Sequence, residues 1–162
     1  MKIIVVALLT VSMTVSAGIV EFGAHAGILL PNAETKDAFN ISPILGVSVL
    51  AHMPVYAIEG SISYGILQPK GEVSDANCSL IPILAGLRTY SGPVFYGFGA
   101  GMYITSISYE SVDDSNTDFG AYGNFGVVLP AGSMDLEGSF KYHLVDFDMD
   151  KAWFALTVGT YF

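Results

Sequence analysis

The 162-residue sequence has one cysteine, one tryptophan, and six lysines and arginines against fifteen aspartates and glutamates. A single thiol can neither close an internal disulfide nor build a cysteine-based zinc site, so Cys78 excludes both frameworks. With a formal charge of −9 and a pI near 4.4, the chain lacks the basic surface that phosphate contacts need, which excludes nucleic acid as a partner. Charged residues make up 13% of the chain and hydrophobic ones 52%, whereas soluble domains are about one quarter charged. An apolar run of the ~20 residues that a spanning helix requires is also missing. The chain is long enough for one domain, and much of its surface is expected to face something other than water.

The N-terminus carries Lys2, an apolar stretch from Ile3 to Val11, and Val15-Ser16-Ala17 before Gly18. A cationic start, a short apolar middle and small residues at a cut site are the layout of a secretory signal peptide, here residues 1–17. Gly18 stands where a lipidated leader would need a cysteine. Residues 18–162 are expected to form the folded domain.

Beyond Gly18 the dominant period is two, not 3.6. At the C-terminus Phe154, Leu156, Val158, Thr160 and Phe162 fall on one face and Trp153, Ala155, Thr157, Gly159 and Tyr161 on the other. Phe22, Ala24, Ala26, Ile28 and Leu30 oppose Glu21, Gly23, His25 and Gly27 in the same way. So do Tyr56, Ile58, Gly60, Ile62 and Tyr64 against Ala57, Glu59, Ser61, Ser63 and Gly65, and Leu136, Phe140, Tyr142 and Leu144 against Glu137, Ser139, Lys141 and His143. With the breaks included, eight strands are predicted, over 18–30, 39–51, 55–67, 78–90, 94–108, 117–130, 134–145 and 151–162. Three connections are tight, at His52-Met53-Pro54, Ser91-Gly92-Pro93 and Pro130-Ala131-Gly132-Ser133. The other four (31–38, 68–77, 109–116 and 146–150) are longer or charged. Short turns on one rim and larger loops on the other are the pattern of an all-β, eight-stranded, antiparallel, up-and-down transmembrane barrel.

The bulk on each face decides what it meets. Tyr96, Phe98, Ala100 and Met102 oppose Gly97, Gly99 and Gly101. In a water-soluble barrel the bulky apolar face fills the interior. An interior of glycine and serine, with large apolar groups outside, suits lipid instead. On strand four Leu80, Pro82 and Leu84 take the inward register, and strand two has almost no polar face. Hydrocarbon offers no partner to an open sheet edge, so strand eight must pair with strand one. Tyr56, Tyr64, Tyr90, Phe95, Trp153 and Phe162 are candidates for interfacial aromatic girdles.

The leader, the segment Pro93-Val94-Phe95-Tyr96-Gly97-Phe98-Gly99-Ala100-Gly101 and the terminal Trp153-Phe154-Ala155-Leu156-Thr157-Val158-Gly159-Thr160-Tyr161-Phe162 resemble the small outer-membrane β-barrel superfamily of bacteria. That superfamily includes the transmembrane domain of outer membrane protein A and the adhesion-linked small barrels. The resemblance implies a bacterial outer-membrane location, with membrane lipid and lipopolysaccharide as surroundings. It further implies that Phe154, Val158, Tyr161 and Phe162 present a signal to the barrel assembly machinery. It carries over no catalytic residue and no cofactor.

Placing the tight turns at the periplasmic rim puts Glu21, Glu59, Arg88 and Glu137 inside at that end, with Lys141, His25 and His143 farther along the lumen. An unpaired charge there is expensive, so Arg88 is expected to meet Glu59 and Lys141 a carboxylate across the lumen. The lumen ionic cluster therefore comprises Glu21, Glu59, Arg88, Glu137, Lys141 and His143, acting as a plug or register device. Glu110, Asp113, Asp114 and Asp118 belong to the third long loop, and Asp146, Asp148 and Asp150 to the fourth. Their spacing fits no EF-hand, so solvated loops are expected, not a calcium site.

The functional expectation is a monomeric, non-enzymatic outer-membrane barrel with a structural or surface-interaction, adhesion-like role. A small pore or a conduit for hydrophobic ligands, drawing on Leu80, Leu84 and the glycine run, is the alternative. A lipid-modifying acyl-transfer enzyme built on Asp114-Ser115 and His143 is the distant one.

Overall fold

In a computed structural model the chain is described over residues 20–71, 76–109, 112–132 and 134–162. The leader expected over 1–17 lies outside the described residues. Eight antiparallel strands close on themselves in sequence order. They are β1 (Val20–Pro31), β2 (Ser42–His52), β3 (Ala57–Leu67), β4 (Asn77–Ser91), β5 (Val94–Tyr109), β6 (Val112–Ala131), β7 (Met134–Val145) and β8 (Ala152–Tyr161). A short α1 (Thr35–Ala38) follows β1, and a 3-10 turn (Met149–Lys151) precedes β8. At the seam β1 pairs with β8 from Gly23↔Tyr161 to Pro31↔Trp153. Phe22 and Phe162 then exchange two backbone hydrogen bonds, of 3.1 and 3.0 Å, so the terminal residue helps leave no bare edge at that rim.

Alternation sorts the side chains by size as well as polarity. Outside, Tyr96, Phe125, Phe140, Leu156 and Ile28 form a continuous row across five strands. Phe98 is 67% exposed and Val158 70%, while inside Arg88 is 1% exposed and Glu59 2%. This polarity is the reverse of a water-soluble barrel and matches hydrocarbon on the outer surface.

An eight-stranded barrel has an interior only wide enough for side chains, and glycine determines where the large ones fit. Tyr122 lies against Gly86 and Gly99, Asn124 against Gly97, Tyr103 against Gly120, Phe95 against Gly126 and Tyr161 against Gly23. Each bulky lumenal group thus rests on bare backbone of a nearby strand. At the rim, Gly92 adopts a left-handed φ of +63° in the two-residue turn Gly92-Pro93 that joins β4 to β5, a conformation glycine takes without strain.

Strand seven matches its predicted span, and most other ends move by one to three residues. Residues 39–41, expected to open strand two, instead belong to a cover over the lumen. The larger correction is at the third loop. The segment expected to be loop over 109–116 is mostly strand, because β5 and β6 stay paired out to Tyr109↔Val112. Asp113, Asp114 and Asn116 are residue types depleted in strands, so composition reads as loop, and the pairing with β5 makes the stretch strand.

Candidate functional site

The lumen is closed by two stacked layers of different chemistry. Nearer the tight-turn rim, register places Arg88, Asn124 and Lys141 along one row, with Gly97 between Arg88 and Asn124 leaving room for their side chains. Arg88 donates to Glu59 through Nε (3.3 Å), with Nη2 in ion-pair contact with the same carboxylate at 3.1 Å, and to Glu137 through Nη1 and Nη2. Lys141 Nζ (3.3 Å) and Asn124 Nδ2 (3.2 Å) donate to the two oxygens of Glu59. The four charges are two of each sign, so the cluster is neutral as a unit. The Arg88 guanidinium also stacks 3.9 Å from the Phe95 ring centroid, a cation–π contact strengthened by exclusion of water. Beneath it Tyr161 is buried and its hydroxyl accepts from Ser48 at 2.9 Å.

The second layer, toward the long-loop rim, is apolar. Its large buried members include Leu29, Leu80, Leu84, Tyr103, Tyr122 and Trp153. His143 sits here, with Nδ1 3.2 Å from the Tyr103 hydroxyl and the two rings edge to face. Between the layers lies a cavity of about 20 Å³ bordered by His25, Ser63, Lys141 and His143, room for about one water molecule. His25 Nε2 is 2.9 Å from Ser63 Oγ on that wall.

A cover closes the long-loop end. Phe39 packs on Trp153 with ring centroids 5.5 Å apart. The segment carrying it is tied down by Thr35 Oγ1 donating to the Ala152 carbonyl (3.1 Å) and by Asn40 N donating to Gln68 O (2.7 Å). The Lys70 amide also donates to the Ala38 carbonyl (2.9 Å). Beyond this cover the β5–β6 hairpin extends with β4 still paired to β5 out to Asn77↔Ser108, while β7 leaves β6 at Gly120↔Val145.

Three solved structures share this architecture. Neisserial surface protein A aligns with a TM-score of 0.65 at 16% identity, over 88% of this chain and 95% of that one. Ail, the attachment invasion locus protein of Yersinia pestis, aligns at 0.56 and 13% identity, over 88% and 94%. The N-terminal β-barrel domain of Pseudomonas aeruginosa OprF aligns at 0.51 and 14%, over 88% and 96%. The chain has the fold of the small eight-stranded outer-membrane barrels. No family model matches the sequence, and no curated protein matches it, so the likeness is one of fold.

Within this barrel the six residues expected in one ionic cluster separate into three places. Glu59, Arg88, Glu137 and Lys141 come together. Glu21 stays at the rim, where its carboxylate meets His52 at 3.0 Å, because it lies at the very start of β1, below the level of Arg88. His143 lies two residues farther along β7 than Lys141, and that step lifts it out of the charged layer into the aromatic one. Asn124, Phe95 and Tyr103 are further buried lumenal residues, and inward parity on β5 and β6 is the sequence signal that marks all three. Of the girdle candidates, Phe95, Trp153 and Tyr90 are inward packing groups, whereas Tyr56, Tyr64 and Phe162 are exposed. Among the C-terminal residues expected to signal assembly, Val158 and Phe162 face out and Tyr161 faces in, with Phe154 half-buried.

The residues of the acyl-transfer alternative do not meet. His143 is buried opposite Tyr122, and Ser115 is exposed seven residues away along β6, about 23 Å at the strand rise. Leu80 and Leu84, proposed to line a conduit, are buried members of the apolar layer. Among the described residues no group of three or more histidines, cysteines or carboxylates is placed to hold a metal. In the fourth loop Asp146 accepts from Lys151 at 2.6 Å, and that hydrogen bond holds the ammonium above the usual lysine range.

Proposed function

We propose that this protein is a monomeric bacterial outer-membrane barrel that does not conduct, with a structural or surface-interaction role carried by its projecting hairpin. The observation that carries the reading is the reversed polarity: a belt of Phe22, Phe98, Phe125 and Val158 outside, and Arg88, Glu59 and Glu137 enclosed. Such an exterior is stable only in lipid, and the doubly closed lumen supports a plug. Ail bears the name attachment invasion locus protein, and an adhesion-like role for this chain is an analogy of fold. The outward Val158 and Phe162 belong to the same reading as groups offered to the assembly machinery, and membrane lipid and lipopolysaccharide as the surrounding partners.

Planar-bilayer recording of the refolded protein tests the closed lumen. A silent membrane is expected, with heat-dependent gel mobility showing that the barrel is folded. Reproducible discrete openings would overturn the plug in favour of a small pore.

A further inference from the structure

We propose that the free edge of β6, residues 113–119, docks an extended basic protein segment that joins the sheet as an added strand. This rests on the surface-interaction reading and specifies the partner's chemistry.

β4 covers β5 out to Asn77↔Ser108, and β5 covers β6 out to Tyr109↔Val112. β7 leaves β6 at Gly120. Among the described residues, β6 from Val112 to Phe119 therefore has no strand on its second side. Parity identifies the bare groups. Val128 N donates to Pro93 O at 2.7 Å, and the β5–β6 register runs without a bulge. Even-numbered residues of β6 thus turn their backbone groups toward β5, and odd-numbered ones turn away from it. The N–H and C=O groups of Asp113, Ser115, Thr117 and Phe119 point to the open side, where an unpaired row of this length is a template for another strand.

The side chains select what is added. Asp114, Asn116 and Asp118 share one face of the edge, and Asp113, Asp114 and Asn116 are exposed. The neighbouring β7–β8 turn adds Asp148 and Asp150 against one cation, Lys151, which is held by Asp146 and also lies in the field of Asp118. Apolar grip is available from Phe119, 63% exposed, and from Phe147 in that turn. Asp146 and Phe147 both hold left-handed φ values, +57° and +55°, which non-glycine residues rarely adopt.

A basic segment suits the edge better than a second copy of this chain, which would bring Asp113, Asp114 and Asp118 of two edges together whatever the register. A segment with Lys or Arg at positions i and i+4 places a cation opposite each carboxylate instead.

The test uses the full chain refolded in nanodiscs and a fluorescent decapeptide of alternating lysine and valine, with alternating glutamate and valine as control. Saturable, salt-sensitive binding of the lysine peptide alone is expected. Thr117→Pro removes an outward N–H while leaving the β5 ladder intact, and should weaken binding about tenfold, the equivalent of roughly one hydrogen bond. Asp114→Asn with Asp118→Asn should weaken binding and flatten its salt dependence, whereas Asp37→Asn, in α1, should not. Unchanged binding by both Thr117→Pro and Ser115→Pro would overturn strand addition, as would equal binding of the glutamate peptide. Self-association abolished by Thr117→Pro would overturn it in favour of a second copy. Heat-dependent gel mobility, measured on every variant, reads the membrane barrel separately: a variant that keeps it and an edge that fails the peptide test overturn the edge alone.

Discussion

Arg88 and Glu137 meet from opposite walls of the barrel, and the guanidinium that joins them also bonds Glu59 and stacks on Phe95. One side chain thereby links β3, β4, β5 and β7 across the lumen, so its loss is felt on several strands at once.

Arg88→Ala should lower the temperature at which the folded band disappears in detergent gels, corresponding to a loss of about 3–5 kcal/mol, the usual cost of stranding a buried carboxylate. Adding Glu137→Gln should recover part of that loss, because the group left unpaired is then neutral. A melting temperature that does not move in Arg88→Ala would contradict the pairing.

The arrangement was partly legible in the sequence. Period-two alternation with glycine opposite aromatics on β5 sufficed for strand count, inward register and the meeting of Arg88 with Glu59, because hairpin neighbours are fixed by local register. What lay across the barrel was less accessible. Arg88 reaching Glu137 depends on how rows of residues climb around the cylinder, which no single hairpin specifies. His143 is expected farther along the lumen yet within the ionic cluster; the two-residue step beyond Lys141 takes it out of the charges and against Tyr103. The β5–β6 extension was hidden because Asp113-Asp114-Ser115-Asn116 has the composition of a loop, and only pairing with β5 makes it strand.

The two kinds of glycine should separate cleanly under substitution. A methyl group at Gly99 would overlap the Ala85 carbonyl and the Tyr122 ring, whereas one at Gly138, which faces outward, meets nothing nearer than Val127 at 3.9 Å. Gly99→Ala should therefore lower the yield of heat-shiftable barrel on refolding, costing about 1–3 kcal/mol as an overpacking change, while Gly138→Ala should refold as the parent does. Equal behaviour of the two would argue against the glycine-lined lumen.

Cys78 is 7% exposed inside the apolar layer, and buried thiols in apolar surroundings are inert. A polyethylene-glycol maleimide should leave the folded barrel unlabelled and modify it fully after heating. Rapid labelling of the folded form would mean that the plug opens readily.

The enclosed Trp153, the sole tryptophan of the sequence, gives the most direct test of which side faces lipid. In bilayers of brominated phospholipid, Trp153 fluorescence should be weakly quenched, because the ring lies inside the wall beside Phe39. Moving the probe outside, with Phe98→Trp in a Trp153→Phe background, should give strong quenching. Strong quenching of Trp153 together with weak quenching at position 98 would contradict the account.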